Sequence, residues 1–153
     1  MAEIKEGAKA PEFSLPSTEG KEIRLSDFKG KKNIVLYFYP KDNTPGCTQE
    51  SCDFRDFSKK FDKKDAVILG VSADSLKSHE NFKGKFGLPF PLLSDENKTM
   101  LKTYGVWKEK SMYGKKYMGI ERTTVVVNKE GKIAKIYPKV KVTGHAEEVL
   151  SAL

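Results

Sequence analysis

The two cysteines carry the most reactive side chains of this sequence, and they lie five residues apart, at Cys47 and Cys52. A continuous β-forming run over residues 33–39 precedes them, and a loop rich in Pro and Gly follows at 41–46. The helix predicted to begin at Cys47 places this thiol in a first helical turn. A thiolate there is stabilised by the positive end of the helix dipole and by unpaired N–H groups. We therefore predict a reactive thiol at Cys47, against the alternative of a small buried apolar residue.

The spacing of the cysteines restricts their chemistry. On an intact helix their Cα atoms would lie roughly 8–9 Å apart, whereas a disulfide needs about 4.4–6.8 Å. A disulfide between Cys47 and Cys52 therefore requires the first helical turns to unwind. This suits a thiol that is first oxidised to a sulfenic acid and then captured by the second thiol. A dithiol exchanger, whose sulfurs stay in contact, fits the spacing less well. Thr44 precedes Cys47 by three residues, so its hydroxyl is expected beside the sulfur.

The segment around the cysteines resembles the active-site signature of the peroxiredoxins. The signature is Pro40-x-x-x-Thr44-x-x-Cys47, and its continuation Cys47-Thr48-x-Glu50-x-Cys52 is similar to the bacterioferritin comigratory protein subfamily, also called peroxiredoxin Q. The likeness extends to Gly7-x-x-Ala10-Pro11-x-Phe13, Gly70-Val71-Ser72 and Gly105-Val106-Trp107.

This resemblance implies a role for each site residue. Cys47 would be the peroxidatic cysteine and Cys52 the resolving cysteine. Thr44 would hydrogen-bond the peroxide and the thiolate, and Pro40 would shield the sulfur from water. Arg122 matches the distant arginine with which the family stabilises the thiolate and polarises the peroxide, and its permanent charge suits that role.

The activity implied by the resemblance is that of a thioredoxin-dependent peroxidase. Cys47 would reduce hydrogen peroxide or organic hydroperoxides, Cys52 would form the disulfide, and a thioredoxin-type dithiol would reduce it. No metal, flavin or haem is needed for this cycle. The alternatives are a general thiol–disulfide oxidoreductase, a redox sensor that signals through the same disulfide, and a non-catalytic protein that binds nucleic acid.

Composition bears on the last alternative and on the location of the protein. The formal net charge is +7, but the lysines are scattered and only three basic residues are Arg, so we predict a solvated Lys-rich surface and no nucleic-acid partner. No apolar run is long enough to span a membrane. Residues 1–7 lack the apolar core of a signal peptide, so we expect a cytoplasmic protein. The resemblance favours a monomer, with a dimer as the alternative.

The pattern of predicted elements indicates one α/β domain over residues 1–153, with a thioredoxin-like fold, a mixed central sheet flanked by helices and an N-terminal hairpin extension at 10–25. We expect Glu50 to orient an arginine, and His79 and His145 to lie at the surface or at helix caps. The predicted strands are 33–39, 66–72, 92–94, 123–127 and 133–138. The predicted helices are 47–64, one capped by Asp74 or Ser75 and running to about 86, 97–104 and one opening at 144 or 145.

Overall fold

The computed structural model describes residues 4–153, so the prediction made for the extreme N-terminus lies partly outside the described residues. The strands are β1 (Ser14–Pro16), β2 (Glu22–Arg24), β3 (Asn33–Phe38), β4 (Ala66–Ser72), β5 (Leu92–Ser94), β6 (Trp107–Met112), β7 (Lys115–Ile120), β8 (Thr123–Val127) and β9 (Ile133–Tyr137). The α-helices are α1 (Pro45–Asp56), α2 (Ser58–Lys63), α3 (Leu76–Phe86), α4 (Thr99–Thr103) and α5 (His145–Ser151).

Five strands form the central sheet, in the order β5-β4-β3-β8-β9. The strand β3 lies in the middle, parallel to β4 and antiparallel to β8. Its residues from Ile34 onwards are all buried, which explains why this run shows no polar alternation. The mixed sheet and the strand assignments predicted from the sequence are confirmed.

Each face of the sheet is covered by a different set of elements. Val35 and Tyr37 of β3 pack against apolar side chains of α1, α2, α3 and α5, including Phe54 and Phe61. The alternate residues of β3 face the N-terminal hairpin and α4. That hairpin pairs β1 with β2 as predicted, with Leu15 opposite Ile23. None of the helices within residues 4–153 is both long and apolar enough to cross a membrane.

The prediction of one helix over 47–64 is wrong in two respects. The observed helix begins earlier, because Pro45 occupies the first helical position after Thr44, which proline favours. It is also interrupted at Phe57, whose backbone leaves the helical region, so α1 and α2 are separate helices. The apolar spacing continued across the break because both helices pack on the same core. Of the two predicted caps of α3, Asp74 and Ser75, the structure shows Ser75, which accepts a hydrogen bond from the Ser78 N–H.

The hairpin formed by β6 and β7 was not predicted from the sequence. Its strands pair in antiparallel register, and positive φ angles at Tyr113 and Gly114 form the tight turn between them. Most of its residues are exposed on both faces, so the alternation that marks a half-buried strand is absent.

Candidate active site

Cys47 is the third residue of α1 and is almost completely buried, with 1% of its surface exposed. Pro45 begins the helix, and the Thr44 carbonyl accepts the first helical hydrogen bond from Thr48 N–H. The strand β3 ends just before this loop, so the sulfur lies beside the carboxyl end of the central strand. The predicted placement of Cys47 in the first turn of a helix is therefore found in the structure.

Strand register brings Arg122 to the same place. Phe38, the last residue of β3, pairs with Thr123, the first residue of β8, so Arg122 enters the sheet next to the loop that carries Cys47. Arg122 Nη2 donates to Cys47 Sγ at 3.3 Å, and its Nη1 donates to Glu50 Oε1 at 2.7 Å. One guanidinium thus connects the thiol to a carboxylate, with its five donors held in a planar fork.

Burial determines the electrostatics of Cys47, Arg122 and Glu50. Burial raises the pKa of Glu50 from 4.5 to about 7, although the charge and hydrogen bond of Arg122 act in the opposite direction. Glu50 Oε2 is buried and receives no hydrogen bond from the described residues. Burial lowers the pKa of Arg122, but the nearby charges of Glu50 and Cys47 outweigh it and raise that pKa overall. The expectation that Glu50 orients an arginine agrees with this geometry.

Thr44 and Pro40 lie in the loop between β3 and α1, and both are half-buried. The Thr44 hydroxyl donates to the Lys41 carbonyl oxygen at 2.9 Å, which leaves its oxygen lone pairs to accept another bond. Both residues thus precede Cys47 in the loop that leads into α1, and the hydroxyl hydrogen of Thr44 is used within that loop.

Cys52 lies on the same helix and is half-buried, and both cysteines are free. Because α1 is continuous from Pro45 to Asp56, the Cα atoms of Cys47 and Cys52 are roughly 8–9 Å apart by helix geometry. A disulfide between them requires the first turns of α1 to unwind.

A buried polar network anchors the loop between β3 and α1. This network was not predicted from the sequence. Asp42 accepts hydrogen bonds from Tyr39 Oη at 2.6 Å and from Ser78 Oγ at 2.8 Å, and its own N–H donates to Asp74. The third partner of its carboxylate is His79, whose Nδ1 lies 2.7 Å from Asp42 Oδ2. The loop is thereby attached to the start of α3.

The prediction that His79 lies at the surface or a helix cap is wrong, because this side chain is fully buried. Its Nε2 faces the Leu93 carbonyl oxygen at 2.9 Å while Nδ1 faces Asp42. One nitrogen thus faces a carboxyl oxygen and the other a backbone carbonyl oxygen, so both ring nitrogens have a partner. Ligand atoms of Asp42, Asp74 and His79 lie within 4.8 Å of one another, as a metal site requires, but these hydrogen bonds already engage them.

His145 is also buried, which corrects the prediction of a surface position, although it does begin α5. Its Nε2 lies 2.7 Å from Thr124 Oγ1, and its Nδ1 lies 3.1 Å from Glu148 Oε1. Burial lowers the pKa of His145, an effect that Glu148 opposes only in part. Its ring packs edge-on against Phe54, so it supports α1 from the side of α5.

Lys110 of β6 is a further residue near the site that the sequence analysis did not identify. Burial lowers the pKa of Lys110, the charge of Arg122 lowers it further, and Glu121 and Cys47 act in the opposite direction. No local signal could have found it, because it reaches the site only through the pairing of β6 with β7.

Comparison with known proteins gives one family and relatives of one kind. Residues 7–136 match the AhpC/TSA family. Peroxiredoxin Bcp of Bacillus subtilis is 52% identical over 150 residues, which cover 98% of this chain and 95% of that protein.

Two solved structures show the same fold. A cysteine-to-serine mutant of PrxQ from Xylella fastidiosa has a TM-score of 0.92 and 39% identity, covering 99% of this chain and 96% of that one. The bacterioferritin comigratory protein of Xanthomonas campestris, described for its alkyl peroxide reduction activity, has a TM-score of 0.87 and 47% identity over 92% of this chain and 88% of that one.

Proposed function

The chain belongs to the AhpC/TSA family and is a peroxiredoxin, a thiol-dependent peroxidase with a thioredoxin fold, and on that basis we propose that Cys47 is its peroxidatic cysteine and Cys52 its resolving cysteine. The family and the fold predicted from the sequence are thereby confirmed. The observation that carries the proposal is the 3.3 Å contact between Arg122 Nη2 and Cys47 Sγ, made by a guanidinium that Glu50 holds in place. The proposed substrates are hydrogen peroxide and organic hydroperoxides.

In the first step the Cys47 thiolate attacks one peroxide oxygen, and the O–O bond breaks. The other oxygen takes up one proton and leaves as water or an alcohol. This proton balances the one that Cys47 lost when it ionised. Cys47 becomes a sulfenic acid. Arg122 stabilises the thiolate and the charge that develops on the two oxygens, and its donors are already oriented when the peroxide arrives. We propose that the Thr44 hydroxyl hydrogen-bonds the peroxide and that Pro40 shields the sulfur from water.

In the second step α1 unwinds at its start, and the Cys52 thiol condenses with the sulfenic acid, releasing water and forming the disulfide. Two observations support unwinding there: the cysteines are too far apart on the intact helix, and the helix begins with the Pro45-Gly46 pair after a loop. An external dithiol of the thioredoxin type then reduces the disulfide by exchange and is itself oxidised.

The relative from Xanthomonas campestris supports organic hydroperoxides as substrates, because alkyl peroxide reduction is the activity for which its structure is described. The half-buried Pro40 and Thr44 lie in the loop that leads into the helix carrying Cys47, which supports their assigned roles. We propose that the whole chain, residues 1–153, acts as one such domain.

The test adds one equivalent of hydrogen peroxide to the reduced protein and follows free thiols and intact mass within seconds. We expect both thiols to be lost, with a mass decrease of two hydrogen atoms. Cys47→Ser should abolish the reaction, and Cys52→Ser should leave a sulfenic acid on Cys47 that a dimedone-type probe captures. Survival of both wild-type thiols for many minutes would refute the proposed function.

A further inference from the structure

The β6–β7 hairpin carries a group of large, exposed hydrophobic side chains. Within residues 4–153 the large hydrophobic residues that are exposed are Met112, Tyr113, Tyr117 and Met118, and all four belong to this hairpin. Tyr113 at the tip is 97% exposed. Apolar side chains gathered in this way on a surface mark an interaction site more often than scattered ones do.

The two faces of the hairpin differ in charge. Side chains alternate along each strand, and the register pairs Lys110 with Tyr117 and Met112 with Lys115. These four residues and Lys108 share one face, which we call the basic face. The only acidic residue of the hairpin, Glu109, lies on the opposite face, where its Oε1 is 3.7 Å from Lys116 Nζ.

The basic face lies next to the reactive thiol. The strand β7 ends at Ile120, two residues before Arg122, so the base of the hairpin continues directly into the site. Lys110 packs its alkyl chain over Gly119, where an added Cβ would be 3.3 Å from Lys110 Cδ. Lys110 therefore lies over the part of β7 that leads into Arg122, and the charges of Arg122 and Cys47 both affect its pKa.

We propose that the basic face is the docking surface for an acidic protein dithiol that reduces the Cys47–Cys52 disulfide. This inference rests on the proposed function, which requires such a reductant in every cycle. Lys108 of this face pairs with Glu121 at 3.1 Å, so Lys110 and Lys115 supply the positive charge that complements an acidic partner and speeds its encounter. Met112 and Tyr117 provide the apolar contact that a dithiol protein needs around its own exposed cysteine.

The docked partner exchanges disulfides with this chain. Its thiolate attacks one sulfur of the Cys47–Cys52 bond, and the other sulfur leaves as a thiolate and takes up a proton. The partner's second thiol, on losing its proton, then displaces the sulfur held in the mixed disulfide. The chain regains two thiols, and the partner is left with one disulfide.

The test compares two neighbouring charge reversals on opposite faces, Lys115→Glu and Lys116→Glu. Peroxide turnover is measured with an acidic thioredoxin, recycled by thioredoxin reductase and NADPH, and separately with dithiothreitol. We expect Lys115→Glu to lower kcat/KM for thioredoxin about three- to tenfold, with a weaker salt dependence. Lys116→Glu should stay near the wild type. The double variant Met112→Ser/Tyr117→Ser should also raise the KM for thioredoxin. Turnover with dithiothreitol should be unchanged in all of them.

Equal effects of the two charge reversals, or equal losses with thioredoxin and dithiothreitol, would overturn the docking surface. So would a wild-type dimer in light scattering that Met112→Ser/Tyr117→Ser dissociates, because the occupant would then be a second copy of the chain. If dithiothreitol supports turnover and thioredoxin does not, the docking proposal and its reductant fail while peroxide reduction stands. Failure of the wild type with both reductants would instead refute the proposed function.

Discussion

Gly46 and Arg122 are in contact across the active site: a Cβ atom added at Gly46 would lie 3.2 Å from Arg122 Nη2. This nitrogen is the one that donates to Cys47 Sγ. The absence of a side chain in the first turn of α1 thus leaves the space that the guanidinium occupies beside the thiol. The position of Arg122 depends on this glycine as well as on Glu50.

Gly46→Ala should therefore slow the reaction of Cys47 with peroxide without destabilising the fold. Alanine favours a helix over glycine by about 1 kcal/mol, but its methyl group displaces Arg122 by a few tenths of an ångström. We expect the rate to fall about tenfold, as measured by stopped-flow fluorescence, with an unchanged or higher Tm. Gly84→Ala in α3 is the matched control, because an added Cβ there meets nothing within 4 Å. Equal rates in the two variants would show that the guanidinium tolerates displacement.

Arg122→Lys tests the two hydrogen bonds that the guanidinium donates to Cys47 and Glu50. One ammonium cannot donate to Cys47 and Glu50 with the geometry of two guanidinium nitrogens. We expect the rate constant for peroxide to fall by roughly 10²–10³, the effect of removing one oriented donor from a site of charge development. Arg24→Lys, in the N-terminal hairpin, should react like the wild type. A loss of less than about twofold in Arg122→Lys would contradict the role assigned to the contact.

Glu50→Gln tests how burial of this carboxyl links stability to pH. Because burial raises the pKa of Glu50 from 4.5 to about 7, the folded protein holds this proton more tightly than the unfolded chain does. The wild type is therefore favoured below its unfolded-state pKa and loses free energy of unfolding as pH rises through about 7. The loss reaches about 3 kcal/mol. Glutamine does not titrate, so the free energy of unfolding of Glu50→Gln minus that of the wild type should rise with pH over this range.

The measurement is urea unfolding at a series of pH values, followed by the fluorescence of Trp107, the single tryptophan. Glu80→Gln, an exposed position on α3, is the control and should run parallel to the wild type. Parallel curves for Glu50→Gln and the wild type would rule out a raised pKa at Glu50.

The buried Asp42–His79 pair should behave as a coupled unit. His79→Gln leaves the buried Asp42 carboxyl without the hydrogen bond to Nδ1, and we expect a loss of about 3 kcal/mol in the free energy of unfolding. Asp42→Asn should have a similar effect. The double variant should lose less than the sum of the two, with a coupling energy above about 1 kcal/mol in a double-mutant cycle. Additive losses would mean that the two side chains do not act as one hydrogen-bonded unit.

Local patterns predicted much of the fold for physical reasons. The strand β3 is buried on both faces, so its run of apolar residues was visible without any partner. The capping of α3 by Ser75 depends on residues within one turn. The break between α1 and α2 was missed because the apolar spacing that predicts a helix continues across Phe57. The hairpin β6–β7 was missed because it buries neither face.

The sequence by itself determined that Cys47 follows a buried strand at a helix start, and that Cys52 cannot reach it on an intact helix, because both facts depend on neighbouring residues. Only the tertiary structure decided what surrounds the thiol. Arg122 reaches Cys47 across 75 residues through the pairing of β3 with β8. His79 reaches Asp42 across 37 residues because α3 packs beside the loop. Such contacts depend on how strands and helices are arranged in space, and burial, which raises the pKa of Glu50, exists only once they have packed.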